Sequence, residues 1–114
     1  MLKISGFVPD RGDIIKLQFN PQSGSEQAGY RPAIVISPSE YNQISKLIVV
    51  CPITSRKKGW PFEVELASQM QTKGVVLVDQ VKSIDCQSRG TVFVEKAPFE
   101  VVDEVLARLE ALTA

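Results

Sequence analysis

The sequence predicts a mainly β domain that ends in one α-helix, with the strands forming a small antiparallel barrel or strongly coiled sheet. Three observations predict it. Five or six short apolar runs, rich in Val, Ile and Leu, are separated by turn residues up to Val94. One of them, residues 62–66, alternates strictly between apolar and charged residues. Only the last stretch repeats apolar residues at helical spacing: Val101, Val105, Leu109 and Leu112, widened by Val102 and Leu106. A chain of 114 residues suits a single domain, 1–114, with its own core. Its 44% hydrophobic and 23% charged residues exclude wholesale disorder.

Taken in order, residues 1–9 form an arm, and Pro9-Asp10-Arg11-Gly12-Asp13 a turn. Residues 14–19 are a half-buried strand, with Ile15, Leu17 and Phe19 on one face and Lys16 and Gln18 on the other. Residues 20–30 are a loop, long for a hairpin, and long loops in small domains are often functional. The unbroken run Ala33-Ile34-Val35-Ile36 reads as a deeply buried strand stopped by Ser37-Pro38, and residues 39–43 as one helical turn. Residues 47–51 form another β-branched strand, closed by Pro52, before a polar loop over 53–61. After the alternating strand comes a polar connection over 69–73. The segment 74–84 then starts as a strand and turns polar at Asp79-Gln80, where polar groups must pair or face a cleft. Residues 90–94 are a last strand, and Pro98 suits a first helical turn. Acids early in that helix favour its positive end.

Formal net charge is zero. Residues 1–97 carry 12 bases against 9 acids, and the rest four acids against one base. A mildly basic body can bind a polyanion locally, and a solvated acidic helix face produces the same asymmetry. Cys51 and Cys86 are too few for a disulfide framework and lack zinc-site spacing, which suits small apolar roles in a reducing compartment. There is no histidine, the commonest general acid–base and metal ligand. No apolar run reaches membrane-spanning length and no signal pattern opens the chain, so a cytoplasmic protein without a membrane partner is expected.

Two polar loops, each after an apolar strand, carry the candidate chemistry. The first places the carboxylate of Glu26 near the guanidinium of Arg31, where Pro32 biases the chain towards extended geometry. An acid–base group and a fixed cation serve hydrolysis or transfer at a phosphate; an ordinary surface ion pair would have the same spacing. The second offers Thr54, Ser55 and the run Arg56-Lys57-Lys58, with Trp60 beside it. Basic side chains with aromatics to stack on bases suit single-stranded nucleic acid.

Four segments in series carry a resemblance. They are Ser25-Glu26-Gln27-Ala28-Gly29-Tyr30-Arg31-Pro32, Pro52-Ile53-Thr54-Ser55, Lys58-Gly59-Trp60-Pro61-Phe62-Glu63-Val64 and Asp79-Gln80-Val81-Lys82-Ser83-Ile84. Together with Pro9-Asp10-Arg11-Gly12-Asp13, they closely resemble the MazF/PemK (Kid) toxins of type II toxin–antitoxin systems, over nearly the whole chain. The resemblance implies an SH3-like barrel, a fold that CcdB-like toxins share, and a homodimer. It implies a metal-independent, cofactor-free, sequence-specific endoribonuclease, or mRNA interferase, that cuts single-stranded mRNA and arrests growth. It also implies an acidic cognate antitoxin, with which the toxin binds DNA. Catalytic roles carry over to Glu26, Arg31 and Thr54, and substrate contacts to Gln27, Ser55, Lys58, Gln80 and Lys82. The implied reaction is attack of a 2′-hydroxyl on the adjacent phosphorus, leaving a 2′,3′-cyclic phosphate. Tyr30 stands where some relatives carry histidine, and Cys86 where some carry tryptophan. The alternative is a non-enzymatic, CcdB-like module that inhibits DNA gyrase, since a shared fold does not fix function.

Overall fold

The structure, a computed structural model, describes residues 8–19 and 29–114. These residues form β1 (Asp13–Phe19), β2 (Gly29–Val35), a short α1 (Ser39–Ser45), β3 (Ile48–Thr54), β4 (Glu63–Glu65), β5 (Val75–Leu77), β6 (Lys82–Ile84), β7 (Val92–Lys96) and α2 (Phe99–Thr113). A 3-10 turn, Val78–Gln80, separates β5 from β6. Strand order is β4-β5-β3-β2-β1-β7, with β6 also paired to β3, and every pairing is antiparallel. The architecture is therefore the expected antiparallel sheet with a C-terminal helix. No pairing among the described residues joins β7 back to β4.

The segment read as one strand over 74–84 is two strands, and register explains the break. Ile53 of β3 pairs with Val76, whereas Val50 pairs with Lys82. Three steps along β3 therefore correspond to six along its partner, and Val78–Gln80 is the excess. The turn satisfies its own backbone through Val81 N–H donating to the Val78 carbonyl. Val78 is buried, whereas Asp79 is exposed and Gln80 half-buried. Strand β3 likewise continues through Pro52 rather than closing there. Pro52 falls in the gap between the stretch of β3 that pairs with β6 and the stretch that pairs with β5. On that edge its missing N–H leaves no ladder bond unmade.

Side-chain alternation divides the core into two layers. On one face, Ile14, Ile34, Cys51, Ile53, Val64 and Val76 pack under Val101 and Val105 of α2. On the other, Ile15, Leu17 and Phe19 pack with Ala33, Val35, Ile48, Val50, Ile84 and Cys86. Strands buried on both faces read as continuous apolar runs, hence Ala33-Ile34-Val35-Ile36. The run Ile48-Val49-Val50 is shared between the layers, with Ile48 and Val50 buried in the second and half-buried Val49 packed against the first. Helix α2 buries Val101 and Val105 and half-buries Val102, Leu106 and Leu109. Leu112, expected in the same stripe, is 51% exposed.

No helix among the described residues is long and apolar enough to cross a membrane. The two thiols sit one in each layer, both free. Burial pushes the Cys51 thiol up to about 12 and the Cys86 thiol up to about 11. Both should therefore resist a thiol reagent at pH 8 in the folded protein and react only on unfolding, as a timed colorimetric assay will read. Unfolded thiols ionise near 9.0 and native ones do not, so their contribution to stability falls as pH rises above that value. Rapid native labelling would show that one of the layers is open.

Candidate active site

The candidate site lies at the rim of the second layer, where three strands bring polar residues onto one face. Arg31 pairs with Leu17, a member of that layer, so Arg31 shares its face. Strands β2 and β3 pair as far as Ala33 and Pro52, and that register, extended two residues, sets Arg31 level with Thr54. Lys82 pairs with Val50 of the same layer. Its ammonium lies 5.6 Å from the centroid of the Phe19 ring, which floors this part of the face. The fold thus brings Arg31, Thr54 and Lys82, three of the residues expected to act, onto one face of adjacent strands. Gln80 is half-buried in the 3-10 turn just before β6. Glu26 and Gln27 lie outside the described residues.

Thr54 is 5% exposed and locked in place. Its backbone pairs with Val75, and its Oγ1 accepts a hydrogen bond from the Arg56 N–H at 3.2 Å. That contact uses a lone pair and leaves the hydroxyl proton to donate. Arg31 is exposed, and its neighbour Tyr30 is tethered through its hydroxyl to the Gly90 carbonyl at 2.9 Å. By alternation Tyr30 belongs to the opposite face, where Lys16 sits 5.3 Å from its ring centroid.

Beyond Thr54 the chain enters the exposed loop 55–61. Ser55 and Lys58 are both at its surface, and the Lys58 ammonium lies 4.8 Å from the Trp60 ring centroid. Trp60 is 48% exposed and meets Phe62 edge-on at 5.2 Å, so part of its ring remains available as a stacking surface. An open cleft beside the loop is bounded by Trp60, Glu63, Glu65, Val75 and Arg108. No cluster of three or more His, Cys, Asp or Glu side chains among the described residues is placed to hold a metal ion.

Two features of the site escape a reading of the sequence. Strict alternation places Phe62 and Val64 inward and Glu63 outward, yet Glu63 is only 8% exposed. The loop 55–61 folds back over it, and the N–H groups of Lys58 and Gly59 bond to its carboxylate. The charge is thereby buried with its hydrogen bonds made. The other feature is Gly74, which has φ of +119° and lies directly against the Thr54 backbone. A Cβ there would stand 2.2 Å from the Thr54 carbonyl oxygen and 3.2 Å from the Ser55 Cα. A glycine before an apolar run is the available signal, but the identity of its neighbour is not local information.

A coiled antiparallel sheet under one helix, with a cation and a hydroxyl on a shared face, defines a class of small, mainly β proteins. Residues 10–113 match the family model described as PemK-like, MazF-like toxin of type II toxin–antitoxin system, and the chain belongs to that family. The endoribonuclease toxin MazF of Escherichia coli K12 is 51% identical over 87 residues, which cover 76% of this chain and 78% of that protein. The crystal structure of MazF from Deinococcus radiodurans superposes with a TM-score of 0.89 at 46% identity, covering 94% of this chain and 97% of that one. A MazE–MazF structure from the same organism gives 0.83 at 46% identity, covering 94% and 96%.

Gly74→Ala should lower folding stability by about 2 kcal/mol or more, since both the positive φ and the backbone clash must be relieved. Because the displaced atoms belong to Thr54 and Ser55, activity should fall further than stability alone accounts for. Urea unfolding and an activity assay at a temperature where the variant stays folded will separate the two losses. An unchanged unfolding midpoint would contradict the packing described.

Proposed function

We propose that this chain is the toxin of a type II toxin–antitoxin pair and cuts single-stranded mRNA through its own side chains, without a cofactor. The observation that carries this reading is the placement of Arg31 level with Thr54, on the face that also bears Lys82, in a chain of the MazF/PemK-like family. Relatives named as endoribonucleases favour RNA cleavage over gyrase inhibition.

In the proposed reaction the 2′-hydroxyl oxygen bonds to the adjacent phosphorus while Glu26 accepts its proton. The bond from phosphorus to the 5′-oxygen breaks, the departing oxygen takes a proton from water, and a 2′,3′-cyclic phosphate remains. Arg31 serves the negative charge that builds on the equatorial oxygens, because its planar fork matches two of them. A guanidinium stays protonated in proteins, which suits a charge partner better than a proton donor. Thr54, whose hydroxyl proton is left to donate, bonds a non-bridging oxygen. Gln27, Ser55, Lys58, Gln80 and Lys82 hold the strand on either side.

Assembly follows from the same reading. The MazE–MazF structures of Deinococcus radiodurans are precedents for an antitoxin on the same fold. An acidic, partly disordered antitoxin segment that folds over the cationic rim would exclude RNA. The chain works as one domain in a two-fold homodimer in the cytoplasm, where mRNA is translated. Several apolar side chains are exposed here, Val92, Phe93, Phe99 and Leu112 among them, and a partner copy would cover such surface.

Arg31→Ala should lower kcat by about a hundredfold to a thousandfold, the usual effect of removing one donor to a developing oxyanion. The folded state should survive, since Arg31 is exposed at the rim rather than packed in a layer. Arg31→Lys should recover only part of the rate, because a point charge replaces the fork. Single-turnover cleavage of a labelled RNA, with unfolding measured in parallel, will read all three enzymes. Full activity in Arg31→Ala would remove Arg31 from the mechanism.

A further inference from the structure

The loop 55–61 joins Thr54 to β4, and its exposed residues Ser55 and Lys58 follow directly on the catalytic threonine. Exposed loops are ordinarily mobile, yet this one is tied from two sides. From beneath, the Glu63 carboxylate receives the Gly59 N–H at 2.9 Å and the Lys58 N–H at 3.2 Å. Gly59, at φ +80°, lets these successive N–H groups converge on one anion. From the side, the Arg108 guanidinium of α2 donates through Nη1 to the Pro61 carbonyl and, at 3.1 Å, to the Glu63 carbonyl. Arg108 is itself held by Glu104, one helical turn earlier, at 2.7 Å.

The two ties act on different parts of the loop and meet at Glu63. Its side chain holds the loop's crown, and its backbone is anchored to the helix. The other stem is fixed independently by the pairing of Thr54 with Val75 and the close approach of Gly74. We propose that Glu63 and Arg108 are positioning residues that hold Lys58 and Trp60 at a set distance from Thr54, so that substrate meets a preformed cationic and aromatic surface. This rests on the cleavage reading for its effect on RNA, but the clamp itself is a property of the free protein. In this proposal both residues act through the loop they hold, not on the RNA itself. Their effect falls on binding, through the ordering cost that a loosened loop adds to each encounter.

Trp60 is the chain's single tryptophan and sits on the clamped loop, so its fluorescence reports the clamp directly. The purified protein and four variants are compared: Glu63→Ala, Glu63→Gln, Arg108→Ala and, as a control, Glu40→Gln. Glu40 is an exposed carboxylate in the first turn of α1, on neither the loop, β4 nor α2. A surface substitution there should contribute little. In Glu63→Ala, acrylamide quenching of Trp60 should rise. KM for a labelled RNA should rise by about tenfold with kcat nearly kept, as expected when charge-assisted bonds that order a binding loop are removed. Glu63→Gln, which keeps a carbonyl acceptor, should recover most of both effects, and Arg108→Ala should shift both in the direction of Glu63→Ala. Glu40→Gln should match the wild type. Unchanged quenching and KM in folded Glu63→Ala and Arg108→Ala would overturn the proposal, as would a loss confined to kcat. If Glu63→Ala does not fold, Glu63→Gln and Arg108→Ala decide the matter by the same two readings. If the wild type cuts no RNA, the cleavage reading fails, while Trp60 quenching still decides the clamp.

Discussion

Strand β3 runs along two partners on one edge and must keep both ladders in register. Its first half pairs with β6 and its second with β5, and the two registers differ by the three residues of the Val78–Gln80 turn. The 3-10 turn takes up that mismatch, so that β5, and β4 paired to it, branch from the end of β3. Thr54 is the last residue of β3 and sits where this branch departs, paired to Val75 and pressed by Gly74. The placement of the hydroxyl therefore depends on a backbone constraint some distance along the chain. Tight packing on both faces of β3 leaves that constraint little room to relax.

The proposed phosphate chemistry would run without histidine. The chain has none, both thiols are buried and held protonated, and the described carboxylates form no metal-ligand cluster. What the rim supplies is fixed positive charge, a donor hydroxyl and a dry floor made by Phe19 and its neighbours. Such groups stabilise charge in a transition state because they are already oriented when the charge appears. The Glu63 carboxylate bonds the Lys58 and Gly59 N–H groups in the free protein.

Much of this was legible in the sequence, and the reasons are local. Alternation exposes β1 through Ile15, Leu17 and Phe19, and helical spacing exposes α2 through Val101 and Val105. Serial motifs point to Arg31 and Thr54, but only the pairing of β2 with β3 makes them level. What the sequence hides depends on contacts through space. Glu63 reads as a solvent-facing residue in an alternating strand and is buried because a loop lies over it. Gly74 reads as a strand start and is a packing surface for Thr54. Pro52 reads as a stop and is carried within a strand, because its lost donor coincides with a gap in the ladder. Leu112 keeps the helical spacing of Val105 yet is largely exposed.

The central claim is that the nucleophile comes from the RNA itself. A labelled single-stranded RNA containing one cleavage site, and the same strand with a single deoxynucleotide on the 5′ side of the scissile phosphate, measure it directly. Both strands are incubated with the purified toxin in EDTA, and their binding is compared alongside. The predicted result is cleavage of the all-RNA strand to a 2′,3′-cyclic phosphate, with the substituted strand bound nearly as well and left intact. Efficient cutting at the deoxynucleotide would contradict the claim, since no 2′-hydroxyl is present there to attack.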